Sequence, residues 1–345
     1  MAAEELMSKI PTFKEADLLA APITSLETLK SQACEKMKYK MELYVTYLQT
    51  TFVNKVSEYE INKRFVIDRW NREKGGGGIT CVLQEGDVFE KAGVNMSALW
   101  GEMSEAHVKA LRSRGKDIRF EETNNYFTTG MTCILQAVNP FVPTFHINIH
   151  FFEVIDSTGK CTWWFSCSAN LIPNYLCEKD FTEFHDILKS ICDQLDECAY
   201  EKYKKSADGY NYNVHREEHC GIGGIFVEDL FSECVNKCFS FIASCGDIIF
   251  PLYLVIVDRH IKEKYTEDHV KWQQLRRGRF VEYVLCYGRG TKFGLRTPGV
   301  RIESVLITMP LIARWEYMPV VGSEEEAMLE VLKKPKQWIS TVSSR

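Results

Sequence analysis

Residues 145–154, FHINIHFFEV, constrain the fold more than any other stretch of this chain. Polar and apolar side chains alternate there, with His146, Asn148 and His150 on one side and Ile or Phe between them. This period of two predicts a β-strand with one apolar face and one polar face. Two imidazoles and an amide on one face suit a metal or a substrate, and a purely structural polar strip is the alternative.

Periodicity and turn residues divide the rest of the chain coarsely into helices and strands. Residues 1–60 have a helical pattern with a helix start at Ser25. Further helices are predicted at residues 104–116, 178–204, 231–245 and 266–276, with a buried apolar element at 247–260. Strands are predicted at residues 65–70, 79–83, 130–135, 162–165, 280–287 and 301–310. Between them we expect a hairpin turn at 84–87, a polar connection at 120–127, a loop at 166–173 and a turn at 297–299.

Cations are concentrated between Trp272 and Tyr317, although the whole chain has a net charge of −5. They are Arg276, Arg277, Arg279, Arg289, Lys292, Arg296, Arg301 and Arg314. Because guanidinium groups pair bidentately with carboxylates, this cluster is typical of a site for a carboxylate-rich ligand. A solvated basic face is the alternative. The acidic overall charge argues against nucleic acid as the partner.

Composition indicates a globular protein, since 45% of the 345 residues are hydrophobic and 26% are charged. The most apolar segment, residues 245–257, is interrupted by Asp247 and Pro251. It therefore falls short of the ~18 apolar residues that span a bilayer, and we expect no membrane span. The first residues carry several acids, which neither a secretory signal nor a transit peptide favours, so a cytoplasmic location is expected.

Thirteen cysteines are a high and odd number for a chain of this length. Without a secretory signal, reduced thiols are expected rather than disulfides. Cys234 and Cys238, with His219 and Cys220 upstream, suggest a zinc site, but their spacing is not a CxxC pair. Buried small hydrophobic side chains are the more economical interpretation of these cysteines, so no metal is expected.

The segments LRRGR, RGTKFGL, TPGVRIES and ARWEY closely resemble the C-terminal signature of the oxygen-dependent coproporphyrinogen III oxidase family. The segment from Gly75 to Val94 and the segment from Tyr210 to Phe226 are similar to other motifs of that family. The resemblance implies an α+β fold with a large antiparallel β-sheet flanked by helices on both faces. It implies a single domain at residues 25–345 after an N-terminal extension at 1–24, and a homodimer.

The resemblance also implies a function in haem biosynthesis. The family enzyme oxidatively decarboxylates two propionates of coproporphyrinogen III to give protoporphyrinogen IX. It uses O2 as co-substrate and no metal or organic cofactor. By this resemblance His146 and Arg289 are the expected catalytic residues. The expected substrate-binding residues are Thr132, Asn148, His150, Asn170, His215, Arg216, Gly290, Thr291 and Lys292.

Several polar positions depart from the family pattern. Gly288 stands where the family has its catalytic Asp, and Asn170 stands where it has a second acid. His150 and Cys220 replace two family arginines, and Val284 and Gln136 replace a usual Asn and a usual His. One hypothesis is a working oxidase in which Glu217 or Glu218 substitutes for the lost acid. The favoured one is a catalytically impaired or non-catalytic protein that binds a tetrapyrrole or another polycarboxylate, or a structural paralogue with a new partner.

Overall fold

A computed structural model describes residues 14–113, 115, 125–296 and 300–340. Residues 1–13 of the expected N-terminal extension, residues 120–124 of the predicted connection at 120–127 and the predicted turn at 297–299 lie outside these ranges. Residues 125–127 of that connection belong instead to a strand.

The elements alternate between blocks of strands and blocks of helices. The strands are β1 (Val66–Asn71), β2 (Gly76–Gln84), β3 (Phe89–Glu102), β4 (Asn125–Ala137), β5 (Thr144–Ile155), β6 (Cys161–Ile172), β7 (Tyr212–Asn213), β8 (Glu218–His219) and β9 (Gly224–Leu230). The helices are α1 (Leu26–Gln32), α2 (Met37–Ser57), α3 (Glu105–Ser113), α4 (Glu178–Cys192), α5 (Ala199–Tyr210), α6 (Val235–His260), α7 (Glu267–Cys286), α8 (Arg289–Arg296), α9 (Ile302–Val305) and α10 (Ser323–Lys333). A short 3-10 helix, Glu15–Asp17, precedes them.

Seven strands form one antiparallel sheet in the order β1-β2-β3-β4-β5-β6-β9, and β7 and β8 form a separate hairpin. The first six strands follow the chain order, so tight antiparallel connections suffice to build most of the sheet. The predicted turn at 84–87 is confirmed, since the N–H of Glu85 donates to the carbonyl of Glu90 at 2.8 Å. The α+β fold expected from the sequence is confirmed.

The sheet has two unlike faces, as the alternation in β5 predicted. Partner residues in neighbouring strands share a face, and His146 pairs with Asn170 while Asn148 pairs with Thr132 and Ser168. On the opposite face the buried residues are mostly apolar, although the buried Thr129 also lies there. They include Ile79, Cys81, Val94, Met96, Met131, Cys133, Ile147, Ile149, Cys167, Ala169, Ile225 and Val227.

Helices α2, α4 and α6 cover the apolar face and form the main hydrophobic core with it. Stacked rings join helix to helix, for example Phe52 of α2 and Phe250 of α6 at a centroid distance of 3.7 Å. Ser25 begins α1 as predicted, because its hydroxyl accepts the N–H of Thr28. The C-terminal helix α10 also joins this core, where Met328 and Leu332 are buried within their own chain.

Helix α7 packs on the polar face, where we had predicted a strand at residues 280–287. That prediction was wrong because Phe280, Tyr283 and Val284 recur at helical spacing. The three side chains pack together on the sheet side of α7 with Ile134 of β4. Their aromatic and β-branched character suggested a strand, but burial of one helix face decides the conformation.

The strand predicted at residues 301–310 is also absent. The short helix α9 takes its place and lies over the polar face, where Ser304 hydrogen-bonds the hydroxyl of Thr80 at 2.8 Å. The loop predicted at 166–173 is instead the continuation of β6 to Ile172. Its Ser166, Ser168 and Asn170 alternate with apolar residues, as the polar residues of β5 do.

Two helix boundaries differ from the prediction. The helix expected at 178–204 divides into α4 and α5, because Asp196 turns the chain by accepting the N–H of Cys198. The elements expected at 231–245 and 247–260 are one continuous helix, α6, which contains Pro251. Among the described residues, α6 is the one helix long and apolar enough to cross a membrane, and 61% of its most apolar window is buried inside the fold.

Candidate functional site

A cavity of about 470 Å³ lies between the polar face of the sheet and the segments that cover it. Its floor comes from β3 to β6, and its cover comes from α7, the α7–α8 junction and α9. Its polar lining residues are Asn95, Ser97, Thr132, His146, Asn148, His150, Ser166, Ser168, Asn170, Asn211, Thr291, Arg301, Ser304 and Thr308. This volume falls within the range typical of small-molecule sites.

The floor gathers residues that the sequence had placed in the site. Asn148 donates its amide to the hydroxyl of Thr132 at 3.2 Å. Asn170 stands beside them on β6, and its buried Oδ1 has no hydrogen-bond partner among the described residues. A buried polar atom without a partner is costly, so this oxygen is available to a donor on a ligand.

The two floor histidines are neutral groups near pH 7. Burial lowers the pKa of His146 and of His150 to about 4. Gly130 makes room for the second ring, because a Cβ at that position would lie 2.1 Å from Nδ1 of His150. A neutral imidazole offers one donor and one acceptor, so both rings can bind a ligand without carrying charge.

The cover is mostly apolar. Phe280 and Tyr283 of α7 line it together with Val284 and Cys220. The hydroxyl of Tyr283 donates to the carbonyl of Tyr210 at 3.2 Å, which ties α7 to the end of α5. Burial raises the pKa of the Cys220 thiol to about 12, so the thiol stays neutral.

The junction between α7 and α8 brings three more expected positions to the cavity. Gly288, Gly290 and Thr291 line it. The N–H of Gly288 donates to the carbonyl of Tyr283 at 3.1 Å, and its carbonyl accepts the N–H of Lys292 at 3.0 Å. These two bonds hold the backbone of Gly288 against the last turn of α7.

A wall of the cavity comes from residues that sequence reasoning missed. Trp70 donates its indole N–H to the hydroxyl of Thr80, which also bonds Oδ1 of Asn95 at 2.8 Å. Ser97 follows Asn95 on the same face of β3. Both are polar residues at alternate positions of an otherwise apolar stretch of β3, residues 92–100, and this period of two was the signal that could have identified them.

Arg301 is the one Arg or Lys among the described residues of the cavity lining. Its guanidinium forms an ion pair with Asp68 on β1. Its buried Nε has no hydrogen-bond partner in the part of the chain that the structure describes. No Asp or Glu lines the cavity among the described residues.

Other expected cations lie outside the cavity lining and contact acids of the same chain. Arg276 forms a buried pair with Glu218 at 2.8 Å. Arg289 pairs with Glu228 at 3.2 Å, and its guanidinium lies 4.9 Å from the ring centroid of Tyr210. Arg289 lines a second, smaller depression of about 290 Å³ together with Tyr210 and Glu228.

His215, Arg216 and Lys292 also lie outside the cavity lining. His215 and Arg216 both bond the carboxylate of Glu282, at 2.8 and 2.7 Å. Although burial opposes the shift, hydrogen bonds from Arg216 and His215 lower the pKa of Glu282 to about 2. The ammonium of Lys292 lies 5.9 Å from the ring centroid of Tyr287. The structure therefore places these three expected binding residues around the cavity and not in it.

The acids considered as substitutes are not in the lining either. Glu218 is buried against Arg276, and Glu217 is exposed. Neither residue lines the cavity.

All thirteen cysteines are free thiols, in agreement with the expectation from the sequence. Cys234 is exposed and Cys238 is buried, and they do not form a metal-binding group. One other group with suitable spacing occurs among the described residues, formed by Cys177, Asp180 and His260. Its carboxylate and imidazole already bond each other at 2.6 Å.

The cavity can therefore supply many neutral hydrogen-bonding groups and few fixed charges. Amides, hydroxyls and neutral imidazoles can both donate and accept, so they suit a ligand with N–H groups and carboxylates. The guanidinium of Arg301 is shared with Asp68. We conclude that the site can orient such a ligand but offers little fixed charge to stabilise a developing cation or anion.

Residues 40–338 match the family model for coproporphyrinogen III oxidase. The chain belongs to this family. An oxygen-dependent coproporphyrinogen-III oxidase of Drosophila melanogaster is 45% identical over 324 residues, which are 93% of this chain and 83% of the fly protein. The mitochondrial enzymes of Mus musculus and Homo sapiens are 44% and 43% identical, over 97% and 94% of this chain and 75% and 72% of their own lengths.

This coproporphyrinogen III oxidase family member thus has the fold and the relatives that the motifs predicted. The relatives are oxygen-dependent by name, in agreement with the expected use of O2 as co-substrate. The mouse and human relatives are mitochondrial by name, and the cytoplasmic location expected for this chain stays a prediction.

Proposed function

We propose that this chain binds coproporphyrinogen III, or a closely related tetrapyrrole, in the cavity on the polar face of the sheet. We further propose that it carries out little or no oxidative decarboxylation. The observation behind the second part is that no carboxylate lines the cavity among the described residues. The substrate class comes from the names of its relatives.

The chemistry explains why a missing carboxylate matters. A porphyrinogen presents pyrrole N–H donors, and its oxidation builds positive charge on the ring. Asn170 and His146 can accept hydrogen bonds, but as neutral groups they cannot offset that charge. Removing one such electrostatic group typically costs a factor of about 10²–10³ in rate. Losses of several groups are not additive, but several together would leave very little activity.

A working oxidase with a changed set of residues is the second candidate. The observation in its favour is that His146, an expected catalytic residue, lines the cavity as a neutral imidazole. A neutral imidazole can take a proton during a reaction. The low pKa of this ring makes it a weak base, which is why we favour the impaired protein.

The test of decarboxylation starts from coproporphyrinogen III prepared without oxygen. Oxygen is then added to the purified protein, and the products are separated by chromatography. The readout is loss of carboxylates and not simple oxidation of the ring, because porphyrinogens oxidise in air without a catalyst; a protein-free sample measures that background. Protoporphyrinogen IX formed at a rate on the order of 1 per second would contradict the impaired-enzyme proposal.

Ligand binding is tested separately by fluorescence. Trp70 lines the cavity, so coproporphyrin III bound there should quench its emission. Trp70→Phe is the matched control, because it removes the tryptophan of the described cavity lining and should reduce the quenching while the other tryptophans remain. If coproporphyrin III quenches neither protein at low salt, the proposed binding function is wrong.

A further inference from the structure

His150 is a candidate receptor for a ligand carboxylate. It projects from β5 into the cavity, and neither ring nitrogen has a hydrogen-bond partner among the described residues. Gly130, directly across on β4, leaves the space that the ring occupies. On the other side its partner on β6 is Ser166, which carries no charge. The ring is thus positioned by packing, and its polar atoms remain for a ligand.

In the part of the chain that the structure describes, no Asp or Glu lines the cavity to hold His150 in its charged form. Among the described residues, the other titratable groups that line the cavity are His146 of β5, Tyr210 of α5, Cys220, Tyr283 of α7 and Arg301. Cys167 of β6 also borders the cavity, but it lies on the core face of the sheet. Of these, Arg301 is ionised and already paired with Asp68 of β1. Burial raises the pKa of both Cys220 and Tyr283, so neither supplies a negative charge near neutral pH.

We propose that this cavity binds tetrapyrrole carboxylates with uptake of a proton, in which His150 becomes an imidazolium paired with a carboxylate of the ligand. The proton comes from the solvent, and the ion pair forms only when the ligand is present. The proposal rests on the proposed function, because it assumes that a carboxylated tetrapyrrole enters this cavity. It assigns to His150 a role in affinity and specificity and not in the chemical step.

Protonation of His150 and binding of the ligand are thermodynamically linked. With a pKa of about 4, His150 is protonated in about one free molecule in a thousand at pH 7. An arriving carboxylate favours the charged form and raises that pKa in the complex. Affinity should then rise by up to tenfold for each unit by which the pH falls, as long as one extra proton is bound in the complex. A permanent cation at this position would bind the same carboxylate without that pH dependence.

The experiment measures binding of coproporphyrin III by calorimetry and by tryptophan quenching between pH 6.5 and pH 8. Calorimetry in phosphate and in Tris gives the number of protons taken up, because the two buffers differ in ionisation enthalpy. The unmodified protein is compared with His150→Gln and His150→Arg. Protonation of the ligand itself is common to all three, so it cancels in the differences.

We expect the unmodified protein to take up close to one proton more than either variant. His150→Arg should bind more tightly than the unmodified protein at pH 8. His146→Gln is the matched control, because it changes the neighbouring floor imidazole and should leave the proton uptake of His150 in place.

Equal proton uptake by the unmodified protein, His150→Gln and His150→Arg would overturn the inference while leaving the binding function intact. Proton uptake lost in His146→Gln but kept in His150→Gln would overturn the assignment to His150. Binding by none of the proteins at any pH would overturn the proposed function itself. If His150→Gln does not fold, proton uptake by the unmodified protein is compared with proton uptake by His150→Arg, and this difference still tests the inference.

Discussion

Gly288→Asp restores the missing acid and should have two effects. The added side chain should destabilise the fold by crowding, and the new carboxylate should increase decarboxylation. The φ angle of Gly288 is not in the positive range that favours glycine, so the backbone conformation itself admits other residues. A Cβ at this position would, however, lie 2.5 Å from the carbonyl oxygen of Val284. The hydrogen bond that Gly288 donates to Tyr283 and the one that it accepts from Lys292 resist the shift that would relieve this contact. Crowding of this kind typically costs about 1–3 kcal/mol.

The matched control is Gly288→Ala, which adds the same Cβ without the carboxylate. Urea unfolding should show both variants destabilised by about 1–3 kcal/mol relative to the unmodified protein. Chromatography should show more decarboxylated product from Gly288→Asp than from Gly288→Ala, with a gain of at most about 10²–10³. If Gly288→Ala has the same free energy of unfolding as the unmodified protein, the crowding argument is refuted. A rate on the order of 1 per second for Gly288→Asp would refute the view that the other changed residues matter.

Three further predictions follow from the charges and the exposed surface. Asp68→Asn should strengthen binding of coproporphyrin III a few-fold in a fluorescence titration, because it releases Arg301 from an ion pair that solvent already screens; unchanged or weaker binding would contradict this. His260→Gln should lower the free energy of unfolding more at pH 6 than at pH 9, since hydrogen bonding to Asp180 raises the pKa of His260 and the stability it contributes is lost as pH rises through that pKa; urea unfolding at both pH values, with equal losses, would disprove it. We also expect a homodimer, with the exposed apolar side chains of residues 311–320 as the candidate interface, and light scattering should give twice the 39.8 kDa mass of one chain; a monomer at micromolar concentration would refute this.

The polar face of the sheet could be predicted wherever the alternation of polar and apolar residues along a strand was recognised. The alternation in residues 145–154 identified the strand and put His146, Asn148 and His150 on the face that carries the cavity. The same alternation occurs at Asn95 and Ser97. It was overlooked there because single small polar residues in an apolar strand are a weaker signal than two imidazoles.

The partners of the cations could not be predicted from local sequence. Arg289 and Glu228 are 61 positions apart, and no periodicity relates them. The clustering of arginines suggested a ligand, but folding brings acids of the same chain to several of them. Helix α7 was misassigned at its C-terminal half for a related reason, since the residue types at 280–287 favour a strand while their spacing favours a helix face.

Because the sheet has one polar and one apolar face, alternate residues along a strand serve different purposes. One set packs in the core and stabilises the fold, and the other set faces the cavity and can bind a ligand. Even-numbered residues of β5 between 146 and 150 face the cavity, while Ile147 and Ile149 between them pack in the core. A polar side chain on the cavity side can therefore be exchanged for another without disturbing the packing that holds the strand. Such an architecture is evolvable in a specific sense, because the binding surface can acquire a new ligand while the scaffold beneath it stays the same.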